Sequence, residues 1–388
     1  MEAARHRSRG ALSAIMRYCT RCLEPDTRPD CLFDAEGVCL PCRYQERLHE
    51  IDWKARRREL EEIADWARTT NVSGYDCIIP VSGGKDSHRQ ALFARDELGL
   101  RPLLVSCAYP PEEQTERGAA NLANLIGLGF DAHVVSPAPQ TWKALMRFAF
   151  RHFGNFYKVT ELALYATAPK FAVMFQIPLL IYGENPALSW GSAGGSLDGD
   201  ANRMKYSNTL QGGDISPYVA AGFDPAEMFW YRYPSDEDIA RAGLRMIYLG
   251  YYIDDFNDLT NGRVAIEHGL QPRFDEDAVL DDIGQITTYD ALDCDFVQVN
   301  QMLKYVKLGF GKASEQASGM VRAGHMTRDE AIAIARRYDG KVGHRYIRRL
   351  CDFLQISEDE FWDVVERFRN RNIFERDGNE WRHRFPLA

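Results

Sequence analysis

The 388-residue sequence has no apolar run approaching the ~18 residues of a membrane-spanning helix, so a helical membrane protein is not expected. Its opening residues, His6, Arg7 and Arg9 followed by a brief Ala-Leu-Ser-Ala-Ile, lack the apolar core of a secretory signal, so a cytoplasmic protein is expected. An excess of basic charge is also lacking. With 47 Lys+Arg against 56 Asp+Glu the net charge is −9, which argues against a general electrostatic grip on nucleic acid and leaves room only for a local patch. There is no internal repeat or low-complexity tract, and the composition is that of a folded chain long enough for two or three domains. In a reducing compartment the nine cysteines do not form disulfides, so the clustered ones read as metal ligands.

The cluster is Cys19-Thr-Arg-Cys22 followed by Cys39-Leu-Pro-Cys42. Two Cys-x-x-Cys pairs at this separation can place four thiolates tetrahedrally around Zn²⁺, giving a structural ribbon over residues 16–45 whose metal stabilises the fold rather than performing chemistry. A redox pair would need only one such motif. Cys31 lies between the pairs and reads as packing or as an alternative ligand. Residues 1–15 read as a flexible leader, or as an over-extended start with Met16 as the true beginning. From 46 to 72 a charged stretch with Leu48, Ile51, Leu60, Ile63 and Trp66 at near-helical spacing reads as a linker helix. Its Lys54, Arg56, Arg57 and Arg58 read as a solvated face balanced by Glu59, Glu61 and Glu62, with a phosphate or RNA contact as the alternative.

A phosphate-binding loop follows. The apolar run Cys77-Ile-Ile-Pro-Val ends in Ser82-Gly83-Gly84-Lys85-Asp86-Ser87, and the residues beyond have helical spacing. A tight glycine turn that presents N–H groups and feeds a helix N-terminus is an anion cradle by two devices. A Walker loop requires glycine where Ile79 stands and a hydroxyl where Asp86 stands, so that reading fails. The hexapeptide resembles the PP-loop of ATP pyrophosphatases, which implies cleavage of ATP between its α and β phosphates.

Strands at 101–107, 130–135, 178–182 and 246–253 alternate with helices near 112–126, 141–153 and 160–175. That pattern implies an α/β fold with a doubly wound parallel sheet, its ligand site at the strands' C-terminal ends and its ATP-binding domain spanning 73–255. Ser106, Cys107, Gly183, Glu184 and Asn185 fall at such ends. Cys107 reads as a strand-end packing residue or a sulfur carrier. Glu184 and Asn185 read as a metal or substrate contact, or as turn residues before Pro186. The glycine-rich stretch 190–202 reads as a mobile substrate lid or a surface loop, and the aromatics of 246–253 either face a sugar or fill the core. Residues 307–318, beginning Lys307-Leu-Gly309-Phe-Gly311-Lys312, read as a loop suited to a second phosphate contact, although a lone Gly-x-Gly is weak. Capping boxes at Thr327–Glu330 and Ser357–Glu360 open two C-terminal helices, with another at 344–354, in a mainly helical region 256–388 that completes the substrate site.

The ribbon beginning at Met16-Arg-Tyr-Cys19, the Ser82–Ser87 loop, Gly183-Glu184-Asn185-Pro186 and Lys307–Ala317 together resemble the N-acetyl sugar amidotransferase family, from Met16 to nearly the end of the chain. The resemblance implies an ATP-dependent synthase, with Mg²⁺ and structural Zn²⁺. It would convert the N-acetyl group of a sugar or nucleotide sugar into an acetamidino group for surface polysaccharide or nonulosonic-acid glycans. It also implies a separate glutaminase subunit that supplies ammonia. On this reading Ser82, Gly83, Gly84 and Ser87 bind the departing pyrophosphate, Lys85 neutralises its charge and Asp86 positions Mg²⁺. Glu184 positions metal or ammonia, and Lys312 clamps a second phosphate. The competing readings are a PP-loop tRNA thiolase using Cys107, and a non-catalytic zinc-ribbon scaffold that senses nucleotide.

Overall fold

Five short strands form one parallel sheet: β1 (Cys77–Pro80), β2 (Pro102–Cys107), β3 (Asp131–Val135), β4 (Leu179–Tyr182) and β5 (Arg245–Tyr248), with the edge strand β3 largely exposed. The computed structural model describes residues 16–192, 196–207 and 210–387; the expected leader, 1–15, and the middle of the expected lid, 193–195, lie outside the described residues. Strand order is β3-β2-β1-β4-β5, with every neighbouring pair parallel. The chain thus winds from β1 outward through β2 and β3, then crosses back to the other side of β1. This reversal opens a crevice beyond the C-terminal ends of β1 and β4, the place where doubly wound sheets take ligands. The loops at Ser82 and Gly183 both begin there.

Strands buried on both faces need no polar alternation, and β2 and β4 are buried throughout. One face, with Ile79, Leu104 and Ile181, packs on Leu60 and Ile63 of the helix Trp53–Thr70. The opposite face, with Ile78, Leu103 and Leu180, packs on Ala168, Phe171 and Ala172 of the helix Tyr157–Phe175. Arg56 anchors the first of these helices by stacking 3.7 Å from the Tyr251 ring centroid and donating to Tyr251 O, so it is not part of a purely solvated face. Arg57 pairs with Glu61 at 2.8 Å, as the charge balance of that face anticipates. A further core joins Trp142 and Phe150 to Leu350 and Phe361 of the helical C-terminal region. Among the described residues no helix is long and apolar enough to cross a membrane.

Three expectations need correction. The strand expected over 246–253 stops at Tyr248, and Leu249–Tyr252 is a helical turn. Gly250 N donates to Gly183 O at 3.0 Å, so the chain folds across the end of β4 instead of extending. Tyr248 and Tyr252 are buried in the core packing of the sheet. The loop expected around 307–318 is a short turn between the helices Phe296–Leu308 and Lys312–Arg322, with Gly309 closing the first in the left-handed region (φ 83°) and Gly311 capping the second. Thr327 and Glu330 form a reciprocal capping box, but Ser357 only accepts from Glu360 N, and no return bond completes a box there. The sequence reading also missed the antiparallel hairpin Phe374–Asp377/Glu380–His383, whose polar strands give little hydrophobic signal.

Candidate functional site

Gly83 sits at φ 87°, and a Cβ there would lie 2.6 Å from Leu122 N. Glycine is needed for the turn and for its close approach to the neighbouring helix. The helix Lys85–Leu92 starts directly after Gly84, so its free N–H groups face the crevice. Ser82 N donates to Ser87 Oγ at 3.1 Å and closes the loop. His88 lies beneath: Nδ1 is 3.0 Å from Gly84 O and Nε2 is 3.2 Å from Asn124 Nδ2. The carbonyl requires Nδ1 to carry the proton, so neutral His88 accepts from Asn124. Burial lowers its pKa, which keeps that tautomer.

Lys85 is only 4 % exposed and stands among three carboxylates: Asp86 at 2.8 Å, Asp258 at 3.2 Å and Asp290 at 3.3 Å. The helix Asp258–Glu267, packed along Lys85–Leu92, supplies Asp258 and also Asn261, which donates to Asp86 Oδ1 at 2.8 Å. Asp290 comes from the loop before the helix Phe296–Leu308 and is shared with Lys312, whose Nζ is 2.9 Å away. Gln316 fixes this loop by accepting from Ile286 N and donating to Thr287 Oγ1 and Asp290 Oδ2. Burial would raise the Asp290 pKa, but Lys312 and Lys85 outweigh it and hold the carboxyl well below the usual range. Burial likewise opposes the charge on both lysines, and the surrounding carboxylates raise each nonetheless.

A cavity of about 280 Å³ lies here. Its lining includes Ser82, Lys85, Asp86, Asp290, Asp293 and Lys312. Tyr109, Tyr157, Leu164, Val297, Gln285 and Gln301 line it too, and Gln285 donates to Asp290 O at 3.2 Å, so amide and charged groups are interleaved. Gln285 is fully buried with Oε1 unpaired, and Gln301 Oε1 is also buried without a partner. Buried orphan acceptors favour a ligand that brings hydrogen-bond donors. Tyr109 OH donates to Asp293 Oδ2 at 3.0 Å, and burial raises the Asp293 pKa.

Other expected residues sit differently. Glu184 does not line the cavity but interacts with its charges: burial and then Asp86 push its pKa up to about 8, against the pull of Lys85. Asn185 is buried and caps the short helix Pro186–Trp190, accepting from Ala187 N and Leu188 N and donating to Ser196 O and Asp198 O. Its polar atoms are thus occupied within the fold. A Cβ on Gly183 would meet Gln90 Nε2 at 2.4 Å; on Gly311 it would meet Asp339 Oδ1 at 2.6 Å, and on Gly309 His383 Nε2 at 2.7 Å. These glycines permit close packing, and with Ser106, buried inside β2, they do not line the cavity. Cys107 is also buried away from it, with burial pushing its thiol up to about 12. The sequence reading missed the wall 285–301 and Asp258. The available signal was a polar, acidic stretch, 284–295, longer than an ordinary interhelical connection.

The four expected zinc ligands converge. Cys19, Cys22, Cys39 and Cys42 are buried with their sulfurs within 4.8 Å of one another; Cys19–Cys42 are 3.8 Å apart and Cys22–Cys39 are 3.7 Å. A tetrahedron with Zn–S bonds of about 2.3 Å has edges of about 3.8 Å, so the set fits Zn²⁺. Backbone N–H groups of Arg21 and Cys39 point at Cys19 Sγ, and that of Glu24 at Cys22 Sγ, as thiolates require. Cys31 is outside the group, and burial pushes its thiol up to about 12. Among the described residues no other group of three or more His, Cys, Asp or Glu side chains is arranged to hold a metal.

Residues 283–385 match the family described as "LPS biosynthesis protein WbpG-like, C-terminal domain". This WbpG-like segment contains the cavity wall from Gln285 to Gln301 and also Lys312. No curated protein sequence matches the chain. Among solved structures, NMN synthetase from Francisella tularensis aligns over 58% of this chain and 100% of its own at 15% identity, with a TM-score of 0.28. A superposition that loose carries no argument about function.

Proposed function

We propose that the protein is the synthase component of an ATP-dependent N-acetyl sugar amidotransferase acting in surface-polysaccharide biosynthesis. One observation supports this most: the glycine loop at the sheet's point of reversal and the WbpG-like segment, whose family description names LPS biosynthesis, share one cavity that holds two lysines and two unpaired amide oxygens. Adenosine and a sugar both bring donors to such oxygens, so the sugar acceptor rests on the family description.

The chemistry follows from the acceptor. An amide oxygen is a poor leaving group, so it first attacks the α-phosphorus of ATP. The α–β bond breaks, pyrophosphate departs, the amide nitrogen loses its proton and an adenylated imidate remains. Ammonia then adds to the imidate carbon, a proton is lost and AMP leaves, giving the acetamidino group. Lys85, Lys312 and the loop N–H groups hold the charge growing on pyrophosphate, and such preorganised charge is usually the largest catalytic effect. Asp86 and Asp258 would hold Mg²⁺ through hard carboxylate oxygens, and the ion would supply charge neutralisation. Glu184, held largely protonated below about pH 8, is assigned to metal or ammonia positioning. Cys107, buried away from the cavity, offers the thiolase reading no support.

Incubation with ATP, Mg²⁺, an ammonium salt and a panel of N-acetylated sugars and nucleotide sugars should release AMP and pyrophosphate. Mass spectrometry should find one sugar with an oxygen exchanged for NH. Absence of ATP cleavage with every acceptor would sink the proposal. A partner glutaminase should replace the ammonium salt by glutamine.

A further inference from the structure

The helix Lys312–Arg322 has two working faces. One carries Lys312, which lines the cavity and pairs with Asp290, and Gln316, which donates to the same carboxylate. The other lies on the cysteine ribbon, where Glu315, one turn beyond Lys312, pairs with Arg28 Nη2 at 2.6 Å and with Lys304 at 2.8 Å. Arg28 is 9 % exposed, also pairs with Glu24, and stacks 4.7 Å from the Phe310 ring centroid in the turn that launches the helix. Thr27 Oγ1 donates to Leu308 O at 2.6 Å, fixing the end of the preceding helix. Further along, Leu23 N donates to Ser318 Oγ at 3.1 Å, and Arg322 Nη1 reaches Cys22 Sγ at 3.7 Å. The ribbon therefore grips both the turn and the helix that carry Lys312.

We propose that Arg28 is a positioning residue for Lys312: through Glu315 and Phe310 it makes the cysteine ribbon the strut that sets the second phosphate-binding ammonium. The proposal rests on the ATP-binding reading of the cavity. A buried, forked guanidinium is suited to this task because it pairs with Glu24 and Glu315 while lying on the Phe310 ring, and Lys304 holds the same carboxylate and ring from the preceding helix. It also gives the ribbon a role at a site it does not itself line.

The test is a double-mutant cycle between Arg28→Met and Lys312→Met, read by calorimetric binding of Mg·ATP, with bound zinc and hydrogen exchange measured on each variant. Arg28→Met should keep its zinc, exchange faster across 312–322 and bind ATP about tenfold more weakly, the scale of one lost charge-assisted contact. In the Lys312→Met background it should add little further loss, because the contact it positions is already gone. Arg28→Lys should recover part of the affinity. Wild-type affinity in Arg28→Met, or an equal loss in both backgrounds, would overturn the proposal and leave Arg28 a packing residue. If Arg28→Met does not fold, Glu315→Gln breaks the same clamp from the helix side and completes the cycle. If the wild-type chain binds no ATP, the nucleotide reading fails separately, and unchanged exchange across 312–322 would then overturn the clamp.

Discussion

Asp290 is the residue whose substitution discriminates most sharply between ways of reading the cavity. It stands 3.3 Å from Lys85 and 2.9 Å from Lys312, and among the described residues it is the only carboxylate paired with both. At an effective dielectric of about 20, each contact is worth about 5 kcal/mol of Coulomb attraction before desolvation is counted. Lys85 keeps Asp86 and Asp258, but Lys312 loses the carboxylate it pairs with, and breaking such a pair typically costs about 3–5 kcal/mol. Asp290→Asn should therefore destabilise the ligand-free protein by about that much, lowering its Tm in scanning fluorimetry. The same substitution removes a negative charge that competes with phosphate for both lysines. Mg·ATP or inorganic pyrophosphate should then restore more stability to the variant than it adds to wild type, and should bind the variant more tightly. Raising salt should narrow the difference, because free anions partly occupy the vacated role. If Asp290→Asn folds as stably as wild type yet binds Mg·ATP more weakly, the reasoning fails, and Asp290 is a metal or substrate ligand rather than the stand-in for phosphate.

Gly83→Ala should lose nucleotide binding while keeping its zinc: the φ of 87° and the 2.6 Å approach to Leu122 N leave no room for a methyl without moving the loop, and calorimetry showing wild-type affinity would refute that account. Glu184 should impose a pH dependence of known sign. Burial and Asp86 raise its pKa from 4.5 to about 8, so between those values the folded chain keeps a proton that the unfolded chain has lost, and stability falls as pH rises through the window. Urea denaturation at about pH 6 and about pH 8.5 should show a larger loss for wild type than for Glu184→Gln. Turnover should rise with pH toward about 8 where the ionised carboxylate is needed, and a wild-type pH profile in Glu184→Gln would remove Glu184 from the mechanism.

The centre of the sheet was legible because β1, β2 and β4 are apolar, short and punctuated. Ile78, Leu103 and Leu180 are buried with no polar alternation, which is the signature of a parallel sheet covered on both faces. The four-cysteine cluster was legible because thiols at this spacing have little use apart from holding a metal. The Gly309–Lys312 segment was half legible. Its lysine reaches the cavity, but its glycines are set by packing against His383 and Asp339, which sequence spacing does not reveal. The Asn185 reading shows the same limit, since an amide that caps a helix and one that contacts a ligand are identical in sequence.

What escaped the sequence was the wall that faces the loop, and the reason is physical. Asp258 reaches Lys85 only because its helix packs along Lys85–Leu92, and Asp290 reaches it only because distant groups pin an irregular loop. Thr115 N donates to Asp293 O and its hydroxyl to Leu292 O, while the fully buried Arg273 donates to Ala291 O and pairs with Asp295. None of these partners carries a motif, and the hold of Thr115 on the loop spans most of the intervening chain. The arrangement nevertheless obeys a simple electrostatic requirement. A cavity that holds two lysines largely out of water must neutralise them, or the fold bears the cost of two uncompensated charges. Asp86 and Asp258 pair with Lys85, and Asp290 pairs with both lysines. Gln316 ties Asp290 to the helix of Lys312, so the neutralising carboxylate and one lysine it neutralises belong to the same rigid unit. On the proposed ATP-binding reading, phosphate entering the crevice has to break an ion pair held in place by packing. On that reading the ribbon, which grips this unit, bears on binding as well as on stability.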